Sequence, residues 1–175
     1  RGWDGARVEV EKGGGRTKGR DVDTVCVGGG TAWRMEGETV EGLVAEVGKL
    51  WTLASNAEVT LEANPTSVEA RKFTDFGIAG VNRVSMGIQS LRDVDLKALG
   101  RMHSVSEARE AFEIAKDSFD RVSFDLIYAR QGQSQGDWKA ELREAEAMAV
   151  DHLSCLLDTS DAADEEDGTA LGGLP

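Results

Sequence analysis

Apolar residues recur along this chain in two alternating rhythms, a period of two over short runs and a period near 3.6 over longer ones. The short runs are "DTVCVG" (23–28), "EVTLEAN" (58–64), "RVSMGIQ" (83–89), "RVSFDLIYA" (121–129) and "HLSCLL" (152–157), each predicted as a strand. Between them, "TVEGLVAEVGKLW" (39–51), "SVEARKFTDFGIA" (67–79), "DVDLKALGR" (93–101), "SVSEAREAFEIAKDSF" (104–119) and "DWKAELREAEAMA" (137–149) predict helices. Ser67 and Ser104 stand at N-cap positions, and Glu107 completes a capping box with Ser104. The matching position after Ser67 is Ala70, so that helix is expected to carry a cap without a box. Strands alternating with helices predict parallel βαβ units, and five in series fit a (β/α) barrel or a doubly wound sheet. Periodicity does not separate the two.

The phase of the strands carries more. Alternate side chains of a strand face opposite sides, so Val59, Leu61 and Ala63 form one set and Thr60, Glu62 and Asn64 the other. Likewise Val84, Met86 and Ile88 oppose Ser85, Gly87 and Gln89, and Val122, Phe124, Leu126 and Tyr128 oppose Ser123, Asp125 and Ile127. Each strand therefore has an apolar face suited to covering helices and a face that, Ile127 apart, is small or polar. A packed barrel fills its interior with branched apolar residues. An interior holding Glu62 and Asp125 needs partners for them, because burying an unpaired carboxylate is strongly unfavourable. A structural salt bridge satisfies one such strand; three in a row point to a polar ligand in the lumen. Gly28 to Thr31, Glu62, Gln89 and Asp125 all fall late in or just after their strands, where parallel α/β folds bind ligands.

The run "TVCVGGGTAW" ends its strand in three glycines, which allow unusual φ values and close approach of bare backbone to a ligand. No Lys-Ser or Lys-Thr follows, so a phosphate-binding P-loop is excluded. Packing and ligand readings of this turn stand about even on these residues alone. Composition, with 40% apolar and 30% charged residues, fits a soluble globular domain without a membrane span or a signal peptide. Cys26 and Cys155 form neither a metal-ligand spacing nor a disulfide framework, so a cytoplasmic setting is expected and both thiols are expected to be buried. The net charge of −12 is uneven: residues 158–175 hold six of the 32 acids and no base. That tail is expected to be disordered, and its "LLDTSDAADEE" resembles a translated sequencing adapter, which favours an artefactual origin. An acidic balance of this kind argues against a nucleic-acid partner.

"VGGGTAWRM", "TLEANPTSVEARKF", "GVNRVSMGIQSL", "LGRMHS" and "VSFDLIYARQGQ" occur in this order. Together they resemble the radical S-adenosylmethionine proteins related to oxygen-independent coproporphyrinogen III oxidase. "LEANP", "GIQS" and "LGRMH" resemble the heme-chaperone (HemW-type) branch more than the oxidases. The resemblance covers roughly residues 20 to 156 and implies a partial parallel (β/α)6 barrel around S-adenosylmethionine and a [4Fe–4S] cluster, with heme as a further ligand. Gly29, Gly30 and Thr31 match the glycine-rich loop that contacts the methionine amino group. Glu62 matches the acid of an "E-x-[ND]-P" segment, and Gln89, Arg101 and Asp125 match further cofactor-contacting positions. Arg101 suits a carboxylate through its planar fork, and Asp125 suits ribose hydroxyls.

The departures are equally specific. The family's C-x3-C-x2-C cluster loop does not occur in this sequence, which therefore reads as truncated before its first strand and cluster loop. Ala32 and Gln131 replace two usual prolines. Residues 1–20 read as a flexible remnant, 21–157 as the partial barrel and 158–175 as the tail. His103 is expected at the surface or in a cap, His152 in a structural role, and Trp51 and Trp138 in packing; no catalytic residue and no metal ligand is assigned. Three functions are implied: a chaperone that binds heme or a tetrapyrrole and passes it to a recipient protein, a radical oxidase of coproporphyrinogen, or, for this literal chain, an inert barrel fragment.

Overall fold

The computed structural model describes residues 10, 12, 17, 19–29 and 35–159. Gly30 and Thr31, and most of the expected N-terminal remnant and acidic tail, lie outside them. The elements run β1 (Asp21–Val27), α1 (Gly37–Leu50), β2 (Thr52–Ala63), α2 (Ser67–Ala70), α3 (Phe73–Ile78), β3 (Arg83–Gln89), α4 (Asp93–Ala98), α5 (Val105–Ser118), β4 (Arg121–Tyr128), α6 (Gln135–Met148) and β5 (His152–Leu157). The five strands pair in sequence order, each parallel to the next. A doubly wound sheet reverses its strand order at a switch point; this one never does. It is a curled half-barrel.

The apolar strand faces derived from the sequence are the buried ones. Val59, Leu61, Val84, Met86, Val122, Phe124 and Leu126 join Val40, Phe73, Phe76, Ala108, Phe112 and Ala115 of the helices in one core. Phe112 of α5 meets Phe124 of β4 edge to face, with ring centroids 5.3 Å apart. Phe73 and Phe119 do the same at 5.4 Å. Each such ring contributes about 1.5–3 kcal/mol by burial alone, which fixes the helices to this side of the sheet.

Local boundaries depart from the sequence reading in instructive ways. β2 begins at Thr52 rather than at residue 58, and its pairing with β1 jumps from Val22↔Leu53 to Thr24↔Glu58. The extra residues, "TLASNA", lack apolar alternation; Thr52 and Leu53 pair with β1, and residues 54–57 form the bulge that the register jump leaves without a β1 partner. The helix expected over 67–79 is two pieces, divided by a turn at Arg71 and Lys72. Ser67 is not its cap: Thr66 is, its hydroxyl accepting from Glu69 N at 3.3 Å. The Ser104–Glu107 capping box is present, and a second one, Ser134–Asp137, opens α6.

Candidate functional site

On the helix-free face the polar residues fall into two tiers. Toward the strand N-termini they bond one another. Arg83 donates to Glu58 at 3.4 Å, to Thr60 at 3.3 Å and to Ser123 at 3.0 Å. Arg121 bonds Glu58 and, at 2.8 Å, Asp151. Toward the strand C-termini, Glu62, Asn64, Ser85, Gln89, Arg101, Asp125, Ser154 and Leu156 surround an open cleft of about 410 Å³. Four of the residues singled out from the sequence, Glu62, Gln89, Arg101 and Asp125, are thus brought to one place. Aliphatic groups do not plug it.

Each is placed by a definable local cause. Gln89 ends β3 at φ 73°, and the pairing with β4 slips by one residue between Met86↔Phe124 and Gln89↔Leu126. This bulge re-aims the side chain, so that Gln89, 5% exposed, donates its amide N–H to the Asp125 carboxylate. Burial pushes the Asp125 carboxyl up from its ordinary value, against the lowering effects of Gln89 and Arg101. Arg101 follows α4 through a Schellman turn. Gly100, at φ 68°, donates to Lys97 O at 3.1 Å, and the Arg101 N–H donates to Leu96 O at 2.8 Å. Its guanidinium donates to no described residue. Glu62 accepts from Gly29 N at 3.1 Å. A Cβ on Gly28 would lie 2.2 Å from a Glu62 carboxylate oxygen, so the first glycine lets the Glu62 carboxylate lie against the main chain in its present position.

Behind the cleft a buried hub holds the loops that follow β3 and β4. Glu141 of α6, 1% exposed, accepts from Ser90 Oγ at 2.7 Å and Leu91 N at 2.7 Å with one oxygen. Its other oxygen accepts from Arg130 at 2.5 Å and Gln133 at 3.2 Å. Arg130 also reaches Asp95 at 2.7 Å and the Ile127 carbonyl. Burial pushes the Glu141 carboxyl up, but these bonds outweigh it and hold it below the ordinary range. Nothing in the sequence pattern marked Glu141 or Arg130, which read as surface charges of a helix and a loop.

Other expectations are corrected. Cys26 and Cys155 are exposed rather than buried, because each sits on an edge strand without an outer neighbour among the described residues. Partial burial still pushes both thiols up. His103 is 7% exposed, not superficial; its Nε2 lies 3.1 Å from the Ile88 carbonyl, which can only accept, so Nε2 carries the proton. Burial pushes its pKa down. His152 is exposed and bonds Ser154 at 3.1 Å. Trp138 stacks on Tyr128 at 5.5 Å and packs against the core, as expected, while Trp51 donates to Thr17 at 2.8 Å.

The donor set fits a zwitterionic nucleoside: a guanidinium that donates to no described residue for a carboxylate, acceptors in Glu62 and Asp125 for hydroxyls or N–H groups, and close-approaching glycine backbone. The described residues do not fit a [4Fe–4S] cluster. Among them no three His, Cys, Asp or Glu side chains group to hold a metal, and the two cysteines lie on opposite edge strands. A cluster would take its ligands from elsewhere. No helix among the described residues is long and apolar enough to cross a membrane.

Comparison with known proteins agrees with this geometry. The heme chaperone HemW of Escherichia coli is 39% identical over 138 residues, covering 78% of this chain and 36% of its own length. The mitochondrial radical S-adenosyl methionine domain-containing protein 1 of Bos taurus is 40% identical over 136 residues, covering 77% of this chain and 31% of its own. The chain thus spans about a third of the curated relatives it matches. Coproporphyrinogen III oxidase (HemN) from Escherichia coli, described as a radical SAM enzyme, superposes with a TM-score of 0.76 at 22% identity, over 88% of this chain and 36% of that one. The radical SAM superfamily profile matches residues 9–145. With most of its length matched and its polar strand ends gathered at one cleft, the chain belongs to the radical SAM superfamily.

Proposed function

We propose that this half-barrel is the S-adenosylmethionine-binding part of a heme chaperone, which binds heme and delivers it to a recipient protein. The observation that carries the cofactor half of this reading is the convergence of Glu62, Gln89, Arg101 and Asp125 on one cleft at the strand C-termini. The heme half is supported by the likeness to HemW-type relatives. In the proposed arrangement Arg101 pairs with the cofactor carboxylate, and its fork orients both oxygens. Asp125, held by Gln89, accepts from ribose hydroxyls, and Glu62 accepts beside the Gly28–Gly29 backbone. When bound to a reduced cluster, S-adenosylmethionine supplies radical chemistry; the residues described here bind and orient it. The free state of Cys26 and Cys155 is compatible with a cytoplasmic setting.

The test is a hemin titration of the purified protein by absorption spectroscopy, followed by transfer to apomyoglobin as a probe recipient. Anaerobic turnover of coproporphyrinogen III is measured in parallel. Stoichiometric heme binding with transfer, and no decarboxylation, is expected. Decarboxylation without heme binding would assign the oxidase function instead.

A further inference from the structure

A buried carboxylate on α2, that of Glu69, meets a residue of the cleft wall. Asn64 lies just beyond β2 and lines both the cleft and the neighbouring groove beside Arg101, Met102 and His103. Its main chain is pinned: Thr66 N donates to Asn64 O at 2.8 Å. Its side chain is pinned by Glu69 of α2. The Glu69 carboxylate, 3% exposed, accepts from Asn64 N at 2.7 Å with Oε2 and from Asn64 Nδ2 at 3.1 Å with Oε1. Each oxygen faces an N–H, so a proton on either would oppose a donor. An ionised carboxylate only accepts. The Asn64 amide can therefore meet it only through Nδ2, and Oδ1 is the atom left over. Oδ1 accepts no hydrogen bond from a described residue.

The geometry points to Glu69 as a positioning residue that sets the flip of the Asn64 amide, so that the cleft presents a carbonyl acceptor to an N–H or O–H donor of its ligand. This rests on the cofactor reading above. The donor belongs either to the amino-acid end or to the nucleoside end of S-adenosylmethionine; both present such groups. Burial pushes the Glu69 carboxyl up, and the Asn64 bonds oppose that rise.

The consequences are specific to orientation rather than to packing. Glu69→Gln keeps the shape but supplies one acceptor and one donor. The Asn64 backbone N–H takes the acceptor, the glutamine N–H₂ then faces the Asn64 side chain, and the amide turns over to place Nδ2 toward the ligand. Asn64→Asp in that background restores an acceptor toward the ligand, since the other oxygen receives the glutamine N–H. Affinity for S-adenosylmethionine is measured by calorimetry on the unsubstituted protein, E69Q and E69Q/N64D, each confirmed folded by circular dichroism. About tenfold weaker binding is expected for E69Q, with E69Q/N64D within about threefold of the unsubstituted protein. Equal binding by E69Q, or a double variant as weak as E69Q, would overturn the inference. Should E69Q alone unfold, the double variant carries the test: folded and near-normal in affinity supports it, while folded and tenfold weak refutes it. Methylthioadenosine, which lacks the amino-acid end, locates the donor: a penalty retained places it on the nucleoside, a penalty lost on the amino acid. Failure of the unsubstituted protein to bind would overturn the cofactor reading itself, a result distinguishable from unchanged binding by E69Q.

Discussion

Replacing Glu141 by alanine isolates what the buried hub contributes. The substitution leaves the Leu91 N–H without the acceptor it now has at 2.7 Å, and the Ser90 hydroxyl with only the more distant Asp95 carboxylate, at 3.5 Å. An unsatisfied buried donor costs about 1–3 kcal/mol. Arg130 is not orphaned, because Asp95 at 2.7 Å and the Ile127 carbonyl still receive it. The loss therefore stays below the ~3–5 kcal/mol upper range for a stripped buried ion pair. Water entering the vacated space offsets part of the donor penalty, and a total of about 3 kcal/mol is expected. Urea unfolding followed by circular dichroism at pH 7 measures it. The pH dependence supplies a second check. The folded protein holds the Glu141 carboxyl below the ordinary range, so its contribution is complete above an unfolded value of about 4.3 and is lost as pH falls through the folded value. The difference between the two proteins should shrink accordingly in acid. Replacing the pair together, as R130M/E141L, should recover most of the loss. A cost for Glu141→Ala under about 1 kcal/mol at pH 7 would refute this account of the hub.

Three further outcomes are expected. Gly28→Ala drives a Cβ to 2.2 Å from the Glu62 carboxylate; because that carboxylate is exposed and can swing away, stability should hardly change while S-adenosylmethionine affinity falls about tenfold, a drop of ~1.4 kcal/mol. Phe112→Ala removes a fully buried ring stacked edge to face on Phe124 and should cost about 3–5 kcal/mol in urea unfolding. Asp125, with its carboxyl raised by burial in the folded state, gives stability that is present below its unfolded value of about 3.9 and lost as pH rises through the folded one. The stability of Asp125→Asn relative to the unsubstituted protein should therefore be greater at pH 7 than at pH 3.

Fold and site were legible to different depths. The period-two phase of Val59–Ala63, Val84–Ile88 and Val122–Leu126 separated core face from open face, because both faces of each strand contribute residues of opposite character. Strand order was not legible, since a barrel and a doubly wound sheet ask the same of each βα unit; only pairing distinguishes them. The "TLASNA" start of β2 was hidden because only Thr52 and Leu53 pair with β1 and the bulge that follows breaks any alternation. The cleft was legible because Glu62, Gln89 and Asp125 lie late in strands that carry strong patterns, whereas Arg101, after a helix, was reached only through the family resemblance. Asn64 continued the same alternation past Glu62, a signal present but not used. Glu69, Glu141 and Arg130 were not legible: a charged residue on a helix or loop looks solvated until the polar groups it bonds are known. The edge-strand cysteines misled for a related reason, as burial depends on a neighbour that sequence does not name.

The central claim is that the late-strand polar side chains form a single cofactor cleft. Calorimetric titration of S-adenosylmethionine into the protein and into Arg101→Ala, Asp125→Ala and Arg92→Ala tests it most directly, Arg92 being paired with Glu144 outside the cleft. The account predicts saturable one-to-one binding, weakened about tenfold or more in the first two variants and unchanged in the third. No binding by the unsubstituted protein, or equal binding by all four, would contradict it.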